Sequence, residues 1–535
     1  MQATPSQVTR TTGQRARLRI VSPSYPTFNI YSGAARVMTA MGPVCVATAV
    51  QDVAGWDAEV IDENNYRRGP VDAAGRPDHA AMQRVRPADV VGIYGGLTST
   101  IPRVFEIAKL YKALGVRTIA GGHHFVPGNV RVALDNGIDV VVFGEAEKTI
   151  MELLACFESG GDLARIAGIA FLKDGQLVLT DPRPPITDFD ELPIPDFSVL
   201  RHTKIKYYPV SGVRGCLMNC EFCTVKGKPR FATPERMMEQ FASIYEKWGG
   251  TSFFIVDDMF GPNRNYALQF CRMLRDYQKR LGVHFKTMVQ VRLDQAEDAE
   301  LLLAMRQAGI NSLAIGFESP IAEELKAMNK RLNPQKMVEL TKAYHRAGFR
   351  IHGMFIFGYP APDGVTFHMP AEERVRQFSR FIQQAGIDTV QIMLPIPLPG
   401  TELTDRLAKA NRIFSTEVVG LEYYDGNFPV IQPDAPLTAS EMQASVQEIL
   451  RRFYGPRHLL AVALHILTFP AMALRLHNFG AGWQGWYRKW MASLLRSGGW
   501  LLLRKWTAAF RKDGFLNKLA QAERTNAQSG HRPAV

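Results

Sequence analysis

The chain has 535 residues, with 63 Lys and Arg against 51 Asp and Glu, 46% hydrophobic and 21% charged residues. This balance excludes wholesale disorder, a collagen-like repeat and a coiled-coil rod, and leaves room for about three domains with cores of their own. Six cysteines are too few for a disulfide scaffold of this length and fit a reducing compartment, where thiols stay free for metals or chemistry. The net charge of +12 sits in one segment: from Arg451 to Val535 fourteen Lys and Arg face only Asp513 and Glu523, and the rest of the chain balances. The expected counterpart of that tail is anionic, either phosphate groups or a membrane face.

Residues 1–17 are polar, without the apolar run of a secretory signal, and read as a disordered lead on a cytoplasmic protein. From Leu18 short apolar runs alternate with longer mixed segments. Leu18–Val21, Ala58–Ile61, Val90–Tyr94, Thr118–Ala120 and Val140–Phe143 read as strands, with helices over 42–54 and up to Leu114. Polar or glycine-rich loops follow them: Asp62-Glu63-Asn64, Gly95-Gly96 through Ser99-Thr100, Gly121-Gly122-His123-His124 and Gly144-Glu145-Ala146-Glu147. Strand, loop and helix in this repeating order predict a doubly wound parallel sheet over 18–184, with any ligand at the carboxyl ends of the strands.

These loops, with Met41-Gly42-Pro43, resemble the cobalamin-binding domain found ahead of many radical S-adenosylmethionine (SAM) cores. The resemblance implies cobalamin contacts from Asp62, Asn64, Ser99, Thr100, Gly121, Gly122 and Glu145. Proteins that ligate cobalt through histidine carry Asp-x-His-x-x-Gly, and here Asn64 takes the place of the histidine. Either the cobalt has no histidine ligand or the domain is vestigial. His123 and His124 lie off that position, which leaves them a loop or capping role.

The proline-rich, acidic run from Pro185 to Pro195 opens a linker expected over 185–205. The strand-like Tyr207–Val210 then leads through Gly212 and Gly215 into Cys216, Cys220 and Cys223, a Cys-x3-Cys-x2-Cys spacing. Three thiolates on one loop suit a soft metal or an iron–sulfur cluster. A zinc site would close with a fourth Cys or His nearby, and none occurs between Cys223 and Cys271. Three ligands on a four-iron cluster leave one iron open. Cys45, Cys156 and Cys271 lie in apolar helical contexts and read as buried packing residues.

With Phe222 before the last cysteine and βα alternation after it, residues 206–432 resemble a radical SAM core. The resemblance implies a [4Fe–4S] cluster on Cys216, Cys220 and Cys223, whose open iron chelates SAM for reductive cleavage to a 5′-deoxyadenosyl radical. It also implies an electron donor of flavodoxin or ferredoxin type. Strands ending in Asp257-Asp258, Arg292, Glu318-Ser319, Gly358-Tyr359-Pro360 and the loop Pro395–Thr401 join the one before Cys216 in a partial (β/α)6 barrel. SAM contacts are expected from Phe222, Asp257, Arg292 and Glu318, the carboxylates for amino or ribose groups and Arg292 for a carboxylate. Capping of the next helix is the alternative for Asp257 and Asp258.

Residues 433–535 form a third, helical region, with a helix start at Thr438 and Glu441. The apolar run Leu459–Leu476, broken by His465, Pro470 and Arg475, is too short to span a bilayer. Five tryptophans follow (Trp483, Trp486, Trp490, Trp500 and Trp506), interleaved with Arg and Lys. This is the pattern of a membrane interface or of a helical lid on the barrel, and its Leu-rich faces argue against nucleic acid. The chain is thus expected to be an α/β enzyme: a cobalamin-dependent radical SAM methyltransferase that C-methylates an unactivated carbon of a lipophilic substrate, peripheral on the inner membrane face. The hopanoid C-methylases and the anaerobic magnesium-protoporphyrin ester cyclases share these motifs, so cyclisation or C–C bond formation without methyl transfer stays open. A non-catalytic metal-binding protein is the alternative of a different class.

Overall fold

The computed structural model describes residues 15–30, 32–362, 364–475 and 479–529. Most of the expected lead, 1–14, lies outside them, while Ala16 and Arg17 already belong to the first strand. The side chains of 469–485, Pro470, Arg475 and Trp483 included, lie outside as well.

The first sheet holds β1 (Ala16–Ser22), β2 (Trp56–Asp62), β3 (Val90–Tyr94), β4 (Arg117–Gly121), β5 (Val140–Val142), β6 (Ile169–Lys173), β7 (Gln176–Leu179) and β8 (Leu200–Arg201). Its order is β7-β6-β5-β4-β3-β1-β2-β8. The five central strands are parallel, and their all-buried runs, such as Val140–Val142, reflect cover on both faces. β6 and β7 form an antiparallel hairpin closed by Asp174 and Gly175, both at positive φ, which suits a two-residue turn. The expected linker is structured where β8 pairs with β2. The order 2-1-3-4-5 reverses between β1 and β3, where the strand ends open a crevice for a ligand.

The second sheet is six-stranded and parallel: β9 (Tyr208–Val210), β12 (Ser252–Ile255), β13 (Lys286–Gln290), β14 (Ile310–Glu318), β15 (Arg350–Ile356) and β16 (Thr389–Met393). A two-stranded pair, β10 (Val213–Arg214) and β11 (Arg230–Phe231), brackets the cysteines. The strands lie in sequence order from β9 to β16, an open barrel whose two edges are the first and last strands. Its outer layer is rich in phenylalanine, with Phe241 against Phe253 and Phe317 stacked on Phe355. Edge-on and offset rings add to their area burial.

The C-terminal helices build a side wall along the barrel. Thr438 and Glu441 form a capping box at the start of the helix Ala439–Phe453, a device that stabilises a helix start by about 1 kcal/mol. Just beyond it, the Tyr454 hydroxyl accepts from Val390 N at 2.7 Å and donates to Val390 O at 2.8 Å, which satisfies the outward main-chain groups of Val390 on edge strand β16. The helix Phe479–Asp513 then runs about 50 Å. Its Leu503, Trp506 and Phe510 are buried, and Phe28 after β1 stacks on Tyr423 at 5.0 Å beside them. Among the described residues no helix is long and apolar enough to cross a membrane.

Candidate functional site

The cysteine loop leaves β9 at Val210 and is pinned from below by the paired carboxylates at the end of β12. Asp257 Oδ1 accepts from Ser211 Oγ (3.0 Å), Gly212 N (2.8 Å) and Val213 N (2.9 Å), and Asp258 Oδ2 accepts from Gly215 N (2.8 Å). The structure therefore places Asp257 at the base of the loop instead of at an open strand end. Neither carboxylate caps the next helix, a task that falls to Asn263. Burial pushes the Asp257 carboxyl up to about 7, against the pull of its three donors. Gly215 has φ +98°, and a side chain there would meet the Lys228 carbonyl at 2.9 Å, so only glycine makes this turn.

Above this base Cys220 is buried, and Cys216 and Cys223 are half-buried. Met218 N points at Cys216 Sγ (3.5 Å) and Val225 N at Cys223 Sγ (3.4 Å), N–H···S contacts of the kind that tune cluster potentials. Burial raises the Cys220 and Cys223 thiols, and the neighbouring thiols add to it. Among the described residues no three His, Cys, Asp or Glu stand close enough to hold a single metal ion. A polynuclear cluster spreads its thiolates wider than one ion does, and a loop-borne trio of thiols with amide N–H groups aimed at sulfur fits such a group. Of the other cysteines, Cys271 is buried, with its thiol pushed up to about 12, whereas Cys45 and Cys156 are only half-buried.

The back of the loop is clamped to the far edge of the barrel. Glu221 takes Arg406 in a bidentate pair (2.6 and 3.0 Å) and accepts from the Tyr359 hydroxyl (2.6 Å), while Leu403 N donates to its carbonyl. Arg406 belongs to the helix Glu402–Lys409 beyond β16, so the loop that starts at edge β9 is fastened beyond the opposite edge. Phe222 packs edge-on against Tyr359 at 6.1 Å.

Of the remaining barrel residues, Glu318 sits at the end of β14 with φ 60° after a register shift, and Lys330 meets it at 2.9 Å. Lys330 also feels Cys220 and Cys216. Burial alone would lower its pKa, and the surrounding negative groups outweigh that and raise it. Sequence reasoning missed Lys330, for which no motif in the chain stands. Arg292 is 42% exposed and bound to Asp294 of its own turn at 3.0 Å.

At the rim of the first sheet the expected cobalamin contacts divide. Asp62, pushed up to about 6 by burial, accepts from Asn64 N at 3.0 Å. Asn64 in turn ties down the loop after β1, accepting from Tyr25 N (2.9 Å) and donating to Pro23 O (3.0 Å). Thr100 bonds back to Leu97 O. Ser99, in the turn Thr98–Thr100 after β3, and Ser22 at the end of β1 keep buried hydroxyls without a partner, at and beyond the ends of the two strands that flank the crevice. Gly122 has φ +126°, and a side chain there would strike Gly95 at 2.7 Å; with Gly121 it makes a cradle of bare backbone. Orphaned hydroxyls and a backbone cradle at the switch point fit a bound cofactor such as cobalamin. His124 is held by Thr98 and Asn129, and burial lowers its pKa to about 4.

Glu145 faces the barrel instead. It takes Arg230 in a bidentate pair (2.8 and 2.9 Å) and Arg214 at 3.3 Å, and Glu147 takes Arg214 at 2.6 Å. Phe189 lies under both guanidinium groups, at 4.9 and 5.3 Å. The rim after β5 is thereby bolted to the β10–β11 base of the cysteine loop.

Comparison with known proteins agrees with this architecture. Residues 33–154 match the B12 binding domain and residues 210–372 the radical SAM superfamily. An uncharacterized methyltransferase of Pyrococcus horikoshii is 29% identical over 61% of this chain and 71% of its own. The hopanoid C-2 methylase of Rhodopseudomonas palustris is 27% identical over 54% of this chain and 52% of its own, so the match spans about half of that relative. The solved structure of the cobalamin-dependent SAM radical enzyme OxsB, with aqua-cobalamin bound, covers 96% of this chain and 84% of its own at a TM-score of 0.62 and 12% identity, a likeness of fold.

Proposed function

We propose that this chain, a radical SAM protein with a B12-binding domain ahead of its core, is a cobalamin-dependent methyltransferase that C-methylates an unactivated carbon of a lipophilic substrate. The observation that carries the reading is the bolt between the two sites: Glu145 and Glu147 fix the cobalamin rim to the arginines that flank the cysteine loop. Methyl transfer to a carbon radical needs the radical and the methyl donor at one place, and a rigid junction positions them in advance. Cys216, Cys220 and Cys223 are the proposed cluster ligands. Bound there, the cluster supplies the electron that cleaves SAM, and cobalamin carries the methyl group.

The chain's own residues do the positioning. Asp257 and Asp258 fix the base of the loop, Glu221 and Arg406 its back, and the Glu318–Lys330 pair lines its inner side. Ser22, Ser99 and the Gly121-Gly122 backbone are the proposed cobalamin contacts. The hopanoid methylase likeness favours a polycyclic lipid as substrate, with reduction by a flavodoxin- or ferredoxin-type donor. A peripheral position on the inner membrane face would suit a substrate of that kind.

The test is an anaerobic assay of the reconstituted protein with methyl-labelled SAM, a reductant and polycyclic lipids. Label in the lipid fraction is expected. SAM cleavage to 5′-deoxyadenosine with no label transferred would overturn methyl transfer and favour cyclisation.

A further inference from the structure

The helix Arg457–Arg475 is amphipathic in the reverse sense. Its inward side carries His458, Ala461, Val462 and His465. His458 is buried, with Nε2 bonded to Phe453 O at 3.0 Å, and the His465 carbonyl accepts from Trp486 Nε1 at 3.1 Å. Its outward side is aliphatic: Leu459, Leu460, Leu464, Ile466 and Leu467 are 46–73% exposed. The helix shows water the face that a helix in a globular protein buries.

The charge around this stripe decides what covers it. Arg457 at its start and Tyr487, Arg488 and Lys489 on the next helix are exposed, and the tail carries fourteen cations against two acids. A second copy of the chain would set one strongly basic tail against another. An anionic bilayer instead complements the charge and accepts the leucines, with Tyr487 at headgroup depth.

We infer that Arg457–Arg475 is a membrane-docking helix that lies in the interface of an anionic bilayer, with Leu460, Leu464 and Leu467 inserted. The inference rests on the peripheral reading above and assigns it to one element. Tail deletion is a poor test, because Tyr454, Leu503, Trp506 and Phe510 close the barrel edge and the core beside it. The full chain with Leu460→Asp and Leu467→Asp changes only exposed positions.

The experiment is co-sedimentation with vesicles of phosphatidylglycerol and phosphatidylcholine, and with phosphatidylcholine alone. The natural chain is expected to bind the anionic vesicles, less so at high salt, and the double variant to lose about tenfold or more in partition at an unchanged melting temperature. Equal binding by the double variant would overturn the helix assignment and leave the peripheral reading standing. A natural chain that binds neither vesicle would overturn both. A natural dimer that becomes monomeric in the double variant, with vesicle binding unchanged, would make the stripe a self-association face and overturn the inference.

Discussion

At the level of single residues, Asp257 anchors the cysteine loop by accepting from Ser211, Gly212 and Val213 at its base. Cys216, Cys220 and Cys223 stand out in the sequence as candidate ligands because cluster binding demands one residue type at short spacing on one loop. Asp257 was legible as a functional carboxylate but not in its role. Its partners come from Ser211, Gly212 and Val213, more than forty positions earlier, and nothing local to Asp257 announces them. The same holds for Lys330, which reaches Glu318 only because the helix Ala322–Ala327 folds back between them. The raised Asp257 carboxyl gives a signed prediction. Between its ordinary value near 3.8 and about 7 the folded chain keeps a proton that the unfolded chain has lost, so this group's contribution to stability falls as pH rises. Asp257→Asn, whose amide oxygen can still accept from the loop, is expected to gain on the natural chain from pH 4 to 7, on the order of 1 kcal/mol per unit. Melting curves of the two chains that stay parallel across that range would contradict this.

At the scale of elements, the open barrel has a structural difficulty that its loops resolve. A partial barrel leaves two sheet edges, β9 and β16, and the cysteine loop belongs to the first of them. The Glu221–Arg406 pair ties that loop to the helix after β16, and Tyr454 covers the β16 edge. The number of strands and the polar strand ends were visible as alternation in the sequence. The clamp was not, because Glu221 and Arg406 are 185 positions apart. Removing one partner of a buried pair leaves a lone charge and costs about 3 kcal/mol or more, whereas removing both costs much less. Arg406→Leu is therefore expected to lower the melting temperature and shed iron on gel filtration, and Arg406→Leu with Glu221→Gln to recover most of both. Full iron retention by the single variant would remove the clamp from the account.

For the whole molecule, the fold class of each part was legible and the junction between them was not. The doubly wound sheet and the barrel follow from hydrophobic patterning, and the basic tail from charge counting. The sequence pattern left the tail as lid or membrane element. The structure makes it a side wall that also presents an apolar stripe, two roles carried by different helices. Glu145 read as a cobalamin contact because its loop lies at a strand end, and the structure gives it to Arg230 and Arg214 across the junction. In the proposed function that junction is what brings the two cofactor sites together. The central claim is tested most directly by the iron and cobalt content of the chain, purified anaerobically, reconstituted with iron and sulfide and incubated with cobalamin, beside Cys220→Ala. A full four-iron complement with stoichiometric cobalt is expected in the natural chain, and loss of the iron with retention of cobalt in the variant. Iron that survives the cysteine substitution, or a loaded cluster without cobalt, would contradict it.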